Sequence, residues 1–284
     1  MNSSCNIAVL MTCHNRREKT LRCLKSLFAA SFRPEDSFDV YLVDDGSTDG
    51  TGEAIKREFP DVNQIKGNGN LFWNQGMRLA WDTASHEKSY DFYLWLNDDV
   101  ILEDFVLIEM LECFRESNQD NNEPAVIVGA CQSSANSNEF SYGGRTDSGE
   151  VIPNGSLQPC KYINGNVVLV PKEVYNILGN LSADYTHAMG DIDYGLRVQL
   201  AGMSCYTTKR YVGICPRNTE APGWKNPRVP LSKRLKSVYS PNGLNLKEYI
   251  IFRKKFWGHR WVVFVIKAYL KVIFPNLYTK LLNK

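Results

Sequence analysis

Three short apolar runs, each cut off by a polar and mostly acidic cluster, constrain this chain more than any other feature. Asn6-Ile7-Ala8-Val9-Leu10-Met11 stops at Thr12-Cys13-His14-Asn15-Arg16. Val40-Tyr41-Leu42-Val43 stops at Asp44-Asp45-Gly46-Ser47, and Phe92-Tyr93-Leu94-Trp95-Leu96 stops at Asn97-Asp98-Asp99. Runs that are apolar without alternation read as strands buried on both faces. Leu21, Leu24, Leu27 and Phe28, and later Ala54, Ile55 and Phe59, recur at helical spacing between them, with Thr12–Asn15 offering a helix cap. Val126–Gly129 and Val167–Val170 add two more strands of the same kind. The pattern predicts an α/β fold, a mainly parallel sheet flanked by helices, which binds ligands beyond the carboxyl ends of its strands. One acidic turn after a strand is ordinary turn chemistry. Three converging on one sheet edge predict a site.

Composition removes the other broad classes. With 284 residues, 43% hydrophobic and 23% charged, the chain can bury a core unaided and is neither disordered nor fibrous. Its eight cysteines form no C-x-x-C pair, which excludes zinc-ribbon and dithiol redox motifs. The amino-terminal residues lead straight into a strand without a signal-peptide pattern, and scattered thiols then point to a reducing, cytoplasmic setting. Neither a P-loop nor a dinucleotide-binding glycine motif follows the first strand.

Between Val43 and Thr51 the chain sets three carboxylates among turn-forming residues, able to accept hydrogen bonds from a base or a ribose hydroxyl. Capping of the next helix is their competing use. This segment resembles the nucleotide-binding turn of family 2 glycosyltransferases, whose GT-A fold is a single nucleotide-sugar-binding α/β domain. The resemblance makes Asp44 and Asp45 nucleoside contacts and brings Thr12, Asn15 and Arg16 to the donor. Leu96-Asn97-Asp98-Asp99-Val100 resembles the D-x-D element of that fold, with Asn97 in the first acidic slot. Carboxylates there suit Mg²⁺ or Mn²⁺. Asp99 is the expected metal ligand, while Asn97 and Asp98 are expected on the donor. Gly67-Asn68-Gly69-Asn70-Leu71-Phe72-Trp73-Asn74 combines close backbone approach with amide and aromatic groups, and resembles a segment of bacterial rhamnosyl, O-antigen and capsule sugar transferases. Asn70, Trp73 and Asn74 are expected on the donor.

Gly190-Asp191-Ile192-Asp193-Tyr194-Gly195-Leu196-Arg197, followed by Ala201-Gly202, resembles the family's E-D-x-D-L-x-x-R-x-x-x-A-G block with Gly190 in the Glu slot. The resemblance makes Asp191 the catalytic base; Asp193 and Arg197 fit an i, i+4 ion pair. Asn164-Gly165-Asn166 resembles a loop placed near the acceptor. Many relatives carry a histidine after this block that completes the metal shell, where this chain has Gly213-Ile214-Cys215-Pro216.

The carboxyl-terminal part differs in kind. From Lys225 onward lie fourteen of the 33 Lys and Arg residues and one of the 31 acidic residues, Glu248, a net of +13 that leaves −11 for residues 1–224. Two regions follow: a GT-A domain over 1–224 and a basic amphipathic segment over 225–284. On the helix from Trp261, Arg260, Lys267 and Lys271 form one basic stripe. Its apolar run is too short and too charged to span a bilayer, and suits a helix lying on an anionic membrane surface. The competing use is packing on the domain or on a second copy in a homodimer. No nucleic-acid-binding pattern appears. The expected activity is inverting transfer of a sugar from a nucleotide-diphosphate donor, on the inner face of the cell membrane, to a glycan or lipid-linked glycan acceptor. The competing activities are nucleotidyl transfer and an inactive binding subunit.

Overall fold

The computed structural model describes residues 4–121, 123–218 and 222–276. By contact the chain divides into two compact units. The first comprises residues up to Ser182 together with Asp191–Arg217; the second comprises Ala183–Gly190 with residues from Asn218 on.

In chain order the first unit runs β1 (Asn6–Cys13), α1 (Arg17–Ala29), β2 (Ser37–Asp44), α2 (Thr51–Glu58), β3 (Asn63–Lys66), α3 (Phe72–Glu87) and β4 (Phe92–Leu96). It continues with β5 (Ile101–Leu102), α4 (Val106–Asn121), β6 (Ala125–Gln132), β7 (Phe140–Tyr142), β8 (Arg145–Thr146), β9 (Gly149–Glu150) and β10 (Gln158–Pro159). Then follow β11 (Val167–Pro171), α5 (Lys172–Leu178), α6 (Gly190–Leu200) and β12 (Ser204–Ile214). The main sheet is ordered β10-β12-β6-β11-β4-β1-β2-β3, with β5 on β12 and β7 on β6, and β8 pairs β9 in a separate hairpin.

The first strand shows why the apolar runs are unbroken. Ile7, Val9, Met11 and Cys13 join the core containing Leu24 and Leu27 of α1, Ile55 of α2 and Met110 of α4. Ala8 and Leu10 face the other core, with Met77, Trp81 and Ala84 of α3, Val174 of α5 and Tyr194 of α6. Helices cover both faces of the sheet, so both sets of alternate residues must be apolar.

The strands β4, β1, β2 and β3 are parallel, as are β6 and β12, but β11 runs antiparallel between β4 and β6. The sheet is therefore mixed rather than all parallel. The reversal matters for function. Val167 at the start of β11 pairs with Leu96 at the end of β4, so residues 164–166 arrive beside Asn97–Asp99. Cys13 at the end of β1 pairs with Asp44 at the end of β2. One edge of the sheet collects all these termini.

The helix cap expected within Thr12–Asn15 is absent: α1 starts at Arg17, with no side chain of its own N-cap residue, Arg16, in use. Asp49 instead reaches across from the β2 loop, and its Oδ2 accepts the Arg17 N–H at 3.1 Å.

In the second unit, α7 (Leu231–Val238), α8 (Leu246–Trp257) and α9 (Trp261–Ile273) enclose a small core of Val238, Leu246 and Val272. Glu248 accepts the Thr186 N–H at 2.9 Å and its hydroxyl at 2.5 Å, tying the loop Ala183–Gly190 to α8.

Candidate functional site

Asp45 organises the glycine-rich loop. Its Oδ1 accepts the Gly69 N–H at 2.8 Å, and its Oδ2 accepts those of Leu71 and Phe72 at 2.9 and 3.0 Å. Gly67 is required beside it, because a Cβ there would stand 2.7 Å from Oδ1 and 2.8 Å from the Asp45 Cα. Asp45 is 4% exposed and its carboxylate is engaged by three N–H groups of this loop. Asp44 is half-buried and accepts the Ser47 N–H at 2.9 Å through Oδ1. Asn15, in the left-handed region at φ 51°, accepts the Thr48 N–H at 2.7 Å, and its own N–H donates to Ser47 Oγ at 2.9 Å. Asn15 thus latches the β1 and β2 loops together.

At the end of β4 the two adjacent acids part company. Asp98 is 4% exposed and accepts Arg16 Nη1 at 2.8 Å and the Thr20 hydroxyl at 3.3 Å. Burial pushes its carboxyl above the usual range, against the opposing pull of Arg16. Asp98 is a buried partner of Arg16. Asp99 is turned outward: its Oδ2 lies 3.1 Å from Arg16 Nη1 and 3.8 Å from Lys19 Nζ. Its Oδ1 is 3.9 Å from Cys215 Sγ. Burial, with Asp99's charge beside it, pushes the Cys215 thiol up to about 12, so it stays protonated and is a poor partner for a hard cation.

No group of three or more His, Cys, Asp and Glu side chains forms a metal cage among the described residues. Mg²⁺ needs no such cage, being held through one or two carboxylates and the substrate's own phosphates. Asp99 fits that minimal donor set.

The glycine-rich loop and the loop before β11 meet through Asn97. Trp73 Nε1 donates to Asn97 Oδ1 at 2.6 Å, and Asn97 Nδ2 donates to Asn166 Oδ1 at 3.0 Å. Asn166 Nδ2 continues to Cys215 Sγ at 3.2 Å. The half-buried Asn97 and the 5%-exposed Asn166 thus link the two loops. Thr12 lies against α3, where a Cβ at Gly76 would meet its Oγ1. Asn74 is fully buried and donates to Ser182 O at 2.9 Å.

Asp191 sits where these pieces join. Its Oδ2 accepts the Gly165 N–H at 3.1 Å and its Oδ1 accepts the Ile192 N–H at 2.8 Å. A Cβ at Gly165 would lie 2.4 Å from the Trp73 ring and 3.4 Å from the Asp191 Cβ, so the backbone at 165 passes between the indole and the Asp191 side chain with no room to spare. Burial raises the Asp191 pKa, opposed by the two backbone N–H bonds and by the positive charge of Arg145. A carboxylate that is partly desolvated, hydrogen-bonded and half-buried is equipped to take a proton. Asp193 is fully buried and pairs with Arg197 Nε at 2.7 Å, the expected structural pair.

The structure thus gathers Asp44, Asp99, Trp73, Gly165 and Asp191 at one sheet edge, with Asn70 exposed on the glycine loop and Asn164 half-buried before β11. Sequence reasoning missed Lys19, whose signal was its i, i+3 spacing from Arg16.

Comparison with known proteins fits this geometry. Residues 8–152 match the Glycosyl transferase family 2 model. A stretch of 111 residues is 28% identical to a poly-beta-1,6-N-acetyl-D-glucosamine synthase of Staphylococcus epidermidis, covering 39% of this chain and 26% of that synthase. The chain thus matches about a quarter of that curated relative's length. A mannosyltransferase from Pyrobaculum calidifontis, solved with GDP-Man and Mn²⁺, superposes over 98% of this chain and 78% of its own with a TM-score of 0.54 at 13% identity. The family match covers half of the chain, and the sheet edge described above lies largely within it: the chain belongs to glycosyl transferase family 2.

Proposed function

We propose that this nucleotide-sugar glycosyltransferase inverts the anomeric carbon in a single displacement, with Asp191 as the base. The carrying observation is the Asp191 carboxylate held by the Gly165 N–H beside the Trp73 ring. The acceptor hydroxyl gives its proton to Asp191 as its oxygen bonds to the anomeric carbon. The bond from that carbon to the diphosphate breaks, and the electron pair leaves with the diphosphate. Asp44 and Asn70 face the nucleotide side. Arg16 and Lys19 place positive charge beside Asp99, where it can offset the charge developing on the leaving group. A divalent Mg²⁺ or Mn²⁺ arriving with the donor would rest on Asp99 and share that neutralisation.

The acceptor is a lipid-linked surface glycan, of the O-antigen or capsule type, and the enzyme works as a peripheral protein at the inner face of the membrane. A polysaccharide synthase among the relatives supports a glycan acceptor, and the +13 carboxyl-terminal segment supports the membrane.

Asp191→Asn should lower turnover by roughly 10²-fold or more while calorimetric donor affinity is kept. Because burial raises the Asp191 pKa, the acidic limb of the wild-type kcat/KM profile should lie above the ordinary carboxylate range. Near-normal transfer by the Asn variant would remove Asp191 from the mechanism.

A further inference from the structure

Helix α9 is packed on one side only. Ala268 and Val272 are buried, and Val265 and Tyr269 pack with Val272 around Val238 and Leu246. The opposite side is apolar and open: Val262 is 44% exposed, Val263 50%, Ile266 55%, Leu270 43%, Ile273 41% and Phe274 52%. At 100° per residue these six side chains fall within an arc of about 120°. Arg260, Lys267 and Lys271 line one edge of that arc. Single exposed apolar residues are ordinary on a surface; a continuous stripe of six marks an interaction face.

Charge decides the occupant. The segment from Lys225 on has a net charge of +13, and its single acid, Glu248, already accepts the Thr186 N–H and hydroxyl. A second copy would oppose one such segment to another of the same sign. An anionic bilayer offers both an apolar layer and negative headgroups. We infer that the Val262/Val263/Ile266/Leu270/Phe274 face of α9 inserts into the headgroup boundary of an anionic membrane, with Arg260 and Lys267 at the lipid phosphates. This deepens the peripheral placement proposed above by naming the face that makes it. The helix lies in the plane of the membrane: no helix among the described residues is long and apolar enough to cross one.

The test is co-sedimentation of the full chain with vesicles of equimolar phosphatidylglycerol and phosphatidylcholine, beside vesicles of phosphatidylcholine alone. Wild type should bind the anionic vesicles at low salt and release in high salt. Ile266→Asp and Lys267→Glu should each weaken binding about tenfold, with melting curves unchanged because both side chains are exposed. The inference is overturned if wild type does not sediment with anionic vesicles at low salt, or if Ile266→Asp binds as tightly as wild type. It is also overturned if wild type is a dimer that Ile266→Asp dissociates while vesicle binding is absent. Hydrolysis of nucleotide sugars, measured on the same preparations without vesicles, separates the two readings. Vesicle binding without turnover would sink the transferase mechanism alone. Turnover without vesicle binding would sink the peripheral placement and its face together and leave the mechanism. Vesicle binding unchanged by Ile266→Asp would sink the face alone.

Discussion

Two Asp-Asp pairs close β2 and β4, the strands on either side of β1, and the protein uses them in mirror fashion. After β2 the second acid, Asp45, turns inward, and after β4 the first, Asp98, does so; each is 4% exposed. The inward acids are also compensated differently. Asp45 is surrounded by the amides of Gly69, Leu71 and Phe72, which are dipoles fixed by the loop's own path. Asp98 is compensated by a full charge, the Arg16 guanidinium, and by a hydroxyl. An amide cradle shapes the backbone that supplies it. A guanidinium leaves the local backbone alone and anchors a distant helix start. In each pair the outward acid is the more exposed one, half-buried where its neighbour is buried.

The sharpest way to break this comparison is Asp45→Ala. Three N–H groups would lose their acceptor at once, and the variant should lose about 2–4 kcal/mol in urea unfolding. A loss no larger than that of an ordinary surface substitution would show that the loop keeps its path without Asp45.

Arg16→Ala should cost less, about 1–2 kcal/mol, because it leaves a buried carboxylate without its cation while the Thr20 hydroxyl stays. Its pH dependence gives a sign. The native Asp98 pKa is already raised by burial and would climb further without Arg16. A raised native pKa means that stability is greatest with the group protonated and is lost as pH rises through that value. The deficit of Arg16→Ala should therefore shrink on acidification. A deficit that grows would assign Arg16 another role.

Asp99→Asn should have the smallest effect on folding, within about 0.5 kcal/mol of wild type, and yet weaken donor binding measured by calorimetry with Mn²⁺. Equal donor affinity in the two proteins, with and without the metal, would remove Asp99 from the donor site.

The strands, the α/β class and the convergence of acidic loops were legible because burial on both sheet faces forces uninterrupted apolar runs, and such runs are rare by chance. The i, i+4 pair Asp193–Arg197 was legible for the same local reason. What the sequence did not disclose was direction. Whether Asp44 or Asp45 points inward depends on the path of a loop more than twenty residues away, from Gly67 to Phe72. Asn97 read as a degraded acid, but its amide is suited to its place: one end accepts from Trp73 and the other donates to Asn166, and a carboxylate could only accept. The antiparallel entry of β11, which brings residues 164–166 to this edge, leaves no mark on local periodicity. On α9 the basic stripe could be placed by spacing, but which side is packed is set by α7 and α8.

The contact between Gly165 and the Trp73 ring sets a boundary for anyone redesigning this enzyme. Every side chain begins with a Cβ, and at position 165 that atom would fall 2.4 Å from the indole. Accepting it would push the indole away from its hydrogen bond to Asn97 and draw the amide at 165 off Asp191, so one substitution would disturb the glycine-rich loop and the proposed base together. Diversity libraries aimed at new acceptors gain nothing by randomising this codon. Asn164, half-buried and one residue earlier, has a side chain to exchange, at the cost of the hydrogen bond its Oδ1 accepts from the Asn166 N–H at 3.3 Å.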